Sequence, residues 1–274
     1  MIPARFLVSG LAAVAVLLTG CGTTLMPARA TLSQAQKPGA QRLLRGEPAN
    51  YYAPVAGQQG RALLDGLRQL VGPHKDLGYD GARDVMFAQI DDLDSDNRVS
   101  CIYIGRTLEQ VTGKDSAYQN GKGLNAEHTW PQSKGAVNAA KADLHHLFPA
   151  DCHANSTRGS FPFGEVTSPE WSEGGSELGT NAQGARVFEV RPDHKGDTAR
   201  AILYFYTVYG QLGSTSLENF KIEEPVLKAW HQQDPVTAAE RARNDAVQAA
   251  QGNRNPFVDH PEFVGAVGTF LQAR

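Results

Sequence analysis

The sequence predicts an α+β protein that is mostly helical, with a small strand-strand-helix centre. Helical hydrophobic spacing occurs towards both ends of the chain, and short β-prone runs lie between. Hydrophobic residues make up 41% of the 274 residues, which is ordinary for a globular protein with a core. We therefore expect one large domain in which helices surround a few strands.

The N-terminal residues predict an export signal. Residues 1–5 are a short basic start, and residues 6–18 are an apolar run too short to span a bilayer. The run ends in Leu-Leu-Thr-Gly-Cys at residues 17–21, which resembles a bacterial lipobox. This resemblance implies that Cys21 is lipidated and becomes the mature N-terminus. An ordinary signal peptide with an incidental cysteine is the alternative.

These features divide the chain. We expect residues 1–20 to be a lipoprotein signal peptide and residues 21–48 to be a flexible tether, because they are rich in Ala, Thr, Gln and Pro without an apolar period. The domain is expected over residues 49–265, followed by a C-terminal tail at 266–274. The protein would be an exported lipoprotein of the periplasm or cell surface, and Gly22 favours an outer-membrane anchor.

The predicted elements of the domain follow in chain order. Leucines at helical spacing predict an amphipathic helix over residues 60–71, which Gly72-Pro73 ends. Residues 99–104 and 124–129 are β-prone, and residues 151–158 contain no helix breaker. Residues 198–209 predict a mostly buried helix. Asp234-Pro235 has the N-cap and N1-proline pattern, which predicts a last helix ending at Gly252.

The formal net charge of −3 excludes a protein that coats nucleic acid by bulk charge. The densest polar chemistry lies in residues 125–158, where Glu127 precedes His128 and Asn155 lies near Arg158. Mg²⁺ prefers hard oxygen ligands, and a neutral imidazole takes a proton from an attacking water. Adjacent strand residues point to opposite faces, so Glu127 and His128 can serve different partners around one site. This set suits metal-assisted attack on a phosphate ester.

Several motifs resemble the bacterial endonuclease I family, whose site is a ββα-metal finger. The resemblance begins with Asn-Ala-Glu-His-Thr-Trp-Pro-Gln at residues 125–132 and Asp-Leu-His-His-Leu-Phe-Pro at residues 143–149. It continues, in the family's order, through residues 155–165, 195–201, 230–235 and 251–257. It covers roughly residues 51–261 and implies a mostly helical domain around a small ββα-metal finger nuclease core.

The same resemblance implies the roles of single residues. His128 resembles the general base, and Glu127 and Asn155 resemble the protein ligands of Mg²⁺, for which Mn²⁺ or Ca²⁺ would substitute; no zinc is expected. The implied activity is a sequence-non-specific endonuclease that leaves 5′-phosphate and 3′-hydroxyl ends on DNA, with RNA left open as a substrate. We expect a monomer that binds nucleic acid and is held at the membrane through its N-terminal lipid.

One departure from the family affects the substrate contacts. Some members carry a long insertion with an arginine that steadies the scissile phosphate, whereas residues 134–142 are short and contain no arginine. Lys134, Lys141, Arg158 and Arg200 are the candidates to replace it. Arg254 is a further candidate phosphate contact, with a solvated or ion-paired surface residue as the alternative.

Three further alternatives stay open at this point. Cys101 and Cys152 are a plausible disulfide in an oxidising compartment, or two buried unpaired thiols. His145 and His146 are expected to play metal-free roles, one orienting a neighbour and one exposed, rather than to bind zinc. The competing functions are a non-catalytic surface-binding lipoprotein on a nuclease fold and a metallophosphatase of small esters.

Overall fold

The computed structural model describes residues 46–210 and 216–271. The predicted signal peptide, the candidate lipidation site Cys21 and residues 21–45 of the predicted tether lie outside these residues. Within the described ranges, no helix is both long enough and apolar enough to cross a membrane.

Helices dominate the described part of the chain, as expected from the sequence. They are α1 Gly60–Val71, α2 Tyr79–Val85, α3 Lys114–Tyr118, α4 Cys152–Arg158, α5 Lys195–Tyr209, α6 Glu218–Gln233, α7 Ala238–Gln251, α8 Pro256–Asp259 and α9 Phe263–Val267. Helix α1 has the predicted bounds, and α4 and α5 lie where the sequence predicted helices. The α+β class is therefore confirmed.

The strands form three small antiparallel sheets within the described residues. The pairs are β1 Val99–Ser100 with β2 Thr107–Leu108, and β3 Leu124–His128 with β4 Leu147–Asp151; β5 Ser168–Glu173, β6 Ser176–Thr180 and β7 Arg186–Glu189 form the third sheet in that order. In the β3–β4 pair, Glu127 lies opposite Phe148 and His128 opposite Leu147. Helix α4 follows β4 directly, so the predicted strand-strand-helix centre is present.

The core is built around α5, whose residues are nearly all buried. Phe205 of α5 stacks on Trp130, with ring centroids 4.8 Å apart, just after β3. Leu63, Leu64 and Leu67 of α1 are also buried, which explains why the leucine spacing predicted this helix correctly. Because Trp130 lies two residues after His128, this packing fixes the end of the strand that carries the candidate site.

Two predicted element boundaries were wrong. The last long helix is capped by Thr237, whose side-chain oxygen accepts the Glu240 N–H at 3.1 Å, while Asp234 ends α6. The β-prone run 99–104 is a strand only at Val99–Ser100, because Gly105 turns back with a φ of 69°. Packing also continues past residue 265, since Phe270 is fully buried.

Candidate active site

The β3–β4 pair and α4 bring the candidate site residues together. Asp151 ends β4 and caps α4, because its Oδ1 accepts the N–H groups of His153 and Ala154 at 2.9 and 3.2 Å. The helix therefore starts at a fixed angle to the strands. Asn155 and Arg158, three residues apart on one helix face, reach towards the end of β3. The Asp151 cap thus positions α4 against β3 and β4, so that residues of all three elements can contribute to one site.

His128 is held in one tautomer. Its Nε2 lies 3.0 Å from the Lys141 carbonyl, and a carbonyl only accepts, so Nε2 carries the proton. The other nitrogen, Nδ1, accepts a hydrogen bond from the Gln132 side-chain amide at 3.4 Å. Burial, helped by nearby His146, lowers the pKa of His128 to about 3, so the ring is neutral throughout the physiological range. Nδ1 is therefore the available base.

The loop that orients His128 is anchored by the buried side chain of Asp143. Its Oδ2 accepts the hydroxyls of Tyr204 and Tyr209 at 2.8 and 2.9 Å, and its Oδ1 accepts the Gln251 amide at 2.8 Å. These bonds tie the segment after Lys141 to α5 and α7. The Lys141 carbonyl thereby keeps its position against the His128 ring.

Glu127 is a buried carboxylate at the floor of the site, only 1% exposed. Its Oε1 lies 3.2 Å from Arg158 Nη1 but accepts no hydrogen bond from any described residue. The guanidinium N–H groups point instead to the carbonyls of His128, Thr129 and Gly159. Burial raises the pKa of Glu127, while Arg158 works against that rise. A buried carboxylate oxygen without a hydrogen bond is costly, and the Arg158 cation at 3.2 Å offsets part of that cost.

Asn155 lines the same cleft. Its side-chain nitrogen donates to Asn125 Oδ1 at 2.7 Å, which assigns the amide orientation and leaves the carbonyl oxygen for another partner. Together with the unbonded Glu127 Oε1, this gives one carboxylate and one amide oxygen. Such a set fits Mg²⁺, which binds few protein oxygens and keeps several waters. The residues present therefore fit a hard divalent cation.

The site opens into a cleft of about 700 Å³. Its wall contains residues that the sequence reasoning missed: Tyr79 and Arg83 of α2 and Tyr118 of α3. The Tyr79 ring lies 5.4 Å from the His128 ring, and both Arg83 and Lys141 place a cation over it, 4.5 and 4.3 Å from its centroid. The spacing of Tyr79 and Arg83, one turn apart on a helix, was the available signal.

The structure separates the candidate phosphate-binding residues. Arg158 lines the cleft but is buried. Lys141 is not one of the lining residues, but its ammonium lies against one of them, Tyr79, at the rim. Lys134 does not line the cleft and pairs with Glu218 at 3.1 Å. Arg200 is fully buried, and its guanidinium donates to both carboxylate oxygens of Glu240 at 2.6 and 2.7 Å.

Arg254 is also buried and holds the fold together. It pairs with Asp245 and Asp259, each at 2.7 Å. Arg200 and Arg254 are thus engaged in internal ion pairs and do not line the cleft, and their contact with the substrate stays a prediction that the structure does not support.

The paired histidines and the two cysteines have internal roles. His145 and His146 are both buried, so the expectation that one is exposed was wrong. His146 Nε2 donates to the Ala140 carbonyl at 2.6 Å, which supports the loop beside His128. Both thiols are free in this structure, and Cys101 Sγ accepts the Asp151 N–H at 3.0 Å. The disulfide stays a prediction.

Known proteins are similar to this chain along most of its length. The endonuclease I family model matches residues 63–262. The chain is similar to an extracellular ribonuclease of Bacillus amyloliquefaciens, with 32% identity over 267 residues, covering 91% of this chain and 86% of that protein. A second similar protein is an extracellular ribonuclease of Bacillus subtilis (strain 168), with 32% identity over 235 residues, 79% of this chain and 77% of that protein. A periplasmic deoxyribonuclease of Aeromonas hydrophila is 29% identical over 122 residues, 44% of this chain and 49% of that protein.

Proposed function

Because the chain belongs to the endonuclease I family and is thus a nuclease that hydrolyses phosphodiester bonds, we propose that it is a Mg²⁺-dependent, sequence-non-specific endonuclease with His128 as general base. One observation carries this proposal: the His128 Nε2–H bond to the Lys141 carbonyl leaves Nδ1 as the basic nitrogen of the ring, in the cleft that Glu127 and Asn155 also line. A base and a cation site in one cleft are the minimum that hydrolysis of a phosphodiester needs.

The proton follows a short path in this mechanism. His128 Nδ1 removes a proton from water as the water oxygen attacks phosphorus. The phosphorus–O3′ bond breaks, and the departing O3′ alkoxide takes a proton from solvent water, which leaves a 5′-phosphate and a 3′-hydroxyl. The resulting imidazolium is steadied by the Lys141 carbonyl at 3.0 Å, and the negative phosphate raises the pKa of the ring above its value in the free protein.

Glu127 and Asn155 would hold the metal ion. A bound Mg²⁺ would supply positive charge against the charge that develops on the phosphate and the leaving oxygen. Arg158 maintains the shape of this floor, because it joins α4 to the end of β3 through the carbonyls of His128 and Thr129. Arg83 and Lys141 at the cleft rim are placed to attract the phosphate backbone.

The substrates proposed are DNA and RNA. The similar Bacillus proteins are named as ribonucleases, and the chain matches most of their length. The similar Aeromonas protein is named as a deoxyribonuclease, and the match covers about half of its length. The cleft wall carries the cation of Arg83, which is suited to contact with phosphate, and phosphate contacts carry no sequence information. A phosphate-reading cleft tolerates both sugars and many sequences.

We propose that the protein is exported and acts outside the cytoplasm. The similar proteins are named extracellular or periplasmic, and the lipobox at residues 17–21 adds a lipid anchor on Cys21. A lipid anchor would keep this nuclease at the envelope, with the tether ahead of the domain.

Cleavage assays on the purified protein test the proposal. It should nick supercoiled plasmid and degrade RNA in Mg²⁺, stop in excess EDTA, and leave nitrophenyl phosphate intact. A His128→Ala protein prepared in parallel controls for contaminating nucleases. Full activity in the chelator would contradict the metal mechanism, and hydrolysis of nitrophenyl phosphate alone would favour a phosphatase of small esters.

A further inference from the structure

Tyr118 is the exposed aromatic residue of the cleft wall. It is 51% exposed. The other large hydrophobic side chains that are exposed among the described residues, Val137 and Ile222, are aliphatic. Neither Val137 nor Ile222 lines the cleft. A single exposed tyrosine is common on protein surfaces, so its meaning depends on where it lies and how it is held.

The backbone fixes Tyr118 relative to the catalytic strand. Gln119, Asn120 and Gly121 all have left-handed backbones, with φ of 47°, 55° and 83°. The Gly123 N–H donates to the Tyr118 carbonyl at 3.1 Å, immediately before β3. A Cβ on Gly123 would lie 2.0 Å from the Ala117 carbonyl oxygen, so only glycine allows this close approach. The backbone of Tyr118 is thus held in a fixed position next to the strand that carries Glu127 and His128.

The two tyrosines of the wall differ in what they can contact. The Tyr79 ring is already in contact with two cations, Arg83 and Lys141, 4.5 and 4.3 Å from its centroid. The Tyr118 hydroxyl rests close to Gly121, where a Cβ would lie 3.5 Å from it, and much of the ring remains open to solvent. Tyr118 therefore offers an aromatic surface, while Tyr79 holds two positive charges at the rim.

We propose that Tyr118 is a stacking platform for an unpaired base and that the cleft consequently prefers single-stranded nucleic acid. A planar ring beside cations that attract phosphate is the arrangement that single-strand-binding sites use. A base within a duplex is already stacked on its neighbours, so it reaches Tyr118 only after unstacking. This inference rests on the proposed nuclease function and names its substrate class.

The test compares kcat/KM in Mg²⁺ on a short oligothymidylate and on a duplex of equal length. For Tyr118→Ala we expect kcat/KM on the single strand to fall about 5- to 140-fold, with a much smaller change on the duplex. Tyr118→Phe keeps the flat ring and should stay near wild type. Tyr118→Leu keeps apolar area without a flat face and should resemble Tyr118→Ala. Ile222→Ala is the matched exposed control away from the cleft.

The outcomes separate the two proposals. If the wild-type protein cleaves neither substrate, the nuclease function itself fails. If the wild type cleaves but Tyr118→Ala lowers both substrates equally, or neither, the stacking platform is overturned and the nuclease function stands. An intact Tyr118→Leu activity on the single strand also overturns it, since a flat ring would then be unnecessary.

Discussion

Replacing Arg158 with methionine distinguishes a structural arginine from a substrate-binding one. Methionine keeps much of the side-chain volume but removes the bonds to the carbonyls of His128, Thr129 and Gly159 and the charge beside buried Glu127. Removing one partner of a buried ion pair costs about 3–5 kcal/mol, because the other charge is left uncompensated. For a domain of this size, that loss lowers Tm by roughly 6–20 °C.

Urea unfolding followed by tryptophan fluorescence measures this loss. The matched control is the double variant Glu127→Gln/Arg158→Met, which removes the uncompensated carboxylate and should recover part of the stability. Suppose instead that Arg158→Met stays within about 1 kcal/mol of wild type and mainly raises KM for nucleic acid. The guanidinium would then be a substrate contact, as the sequence first suggested, and our assignment of it to the fold would be refuted.

Three further outcomes are expected. Burial raises the pKa of Glu223 to about 7. The protonated carboxyl therefore contributes its full stabilisation below about pH 4.5, and this contribution is lost as pH rises through about 7. Glu223→Gln should remove up to about 3 kcal/mol of the resulting pH dependence of the unfolding free energy in unfolding titrations. Arg254→Met should lower the free energy of unfolding by about 3 kcal/mol without changing KM, because the side chain is buried between Asp245 and Asp259; a raised KM at unchanged stability would contradict this. Cys21→Ser should release the protein from membranes, and its continued membrane fractionation in high salt would refute the lipid anchor.

The sequence predicted those parts of the fold whose signal is local. The leucine spacing located α1, and the apolar residues of 198–209 located most of α5. Helices that bury apolar side chains repeat them at helical spacing, and this pattern can be recognised in the local sequence. Helix α6 was missed because Pro225 interrupts its pattern. Strand β5 was missed because it is exposed or half-buried along its length and shows no alternation.

The candidate site was predicted where it lies within motifs and missed where it depends on distant packing. The Glu127-His128 pair and Asn155 are recognisable in sequence, and the structure brings them to one cleft. Nothing local shows that Arg200 is buried against Glu240, forty residues away. The same limit applies to Tyr79, which reaches His128 only through the tertiary fold.

The dependence of cleavage rate on Mg²⁺ concentration, measured in parallel for wild type, His128→Ala and Asn155→Ala, tests the assignment of base and metal ligands most directly. His128→Ala should lose about 10²–10⁴-fold in rate at saturating Mg²⁺ with an unchanged half-saturating concentration, because the ring accepts a proton and does not hold the ion. Asn155→Ala should instead raise the half-saturating concentration and recover rate as Mg²⁺ is added. An His128→Ala protein that cleaves near the wild-type rate, or that added Mg²⁺ restores, would contradict the assignment.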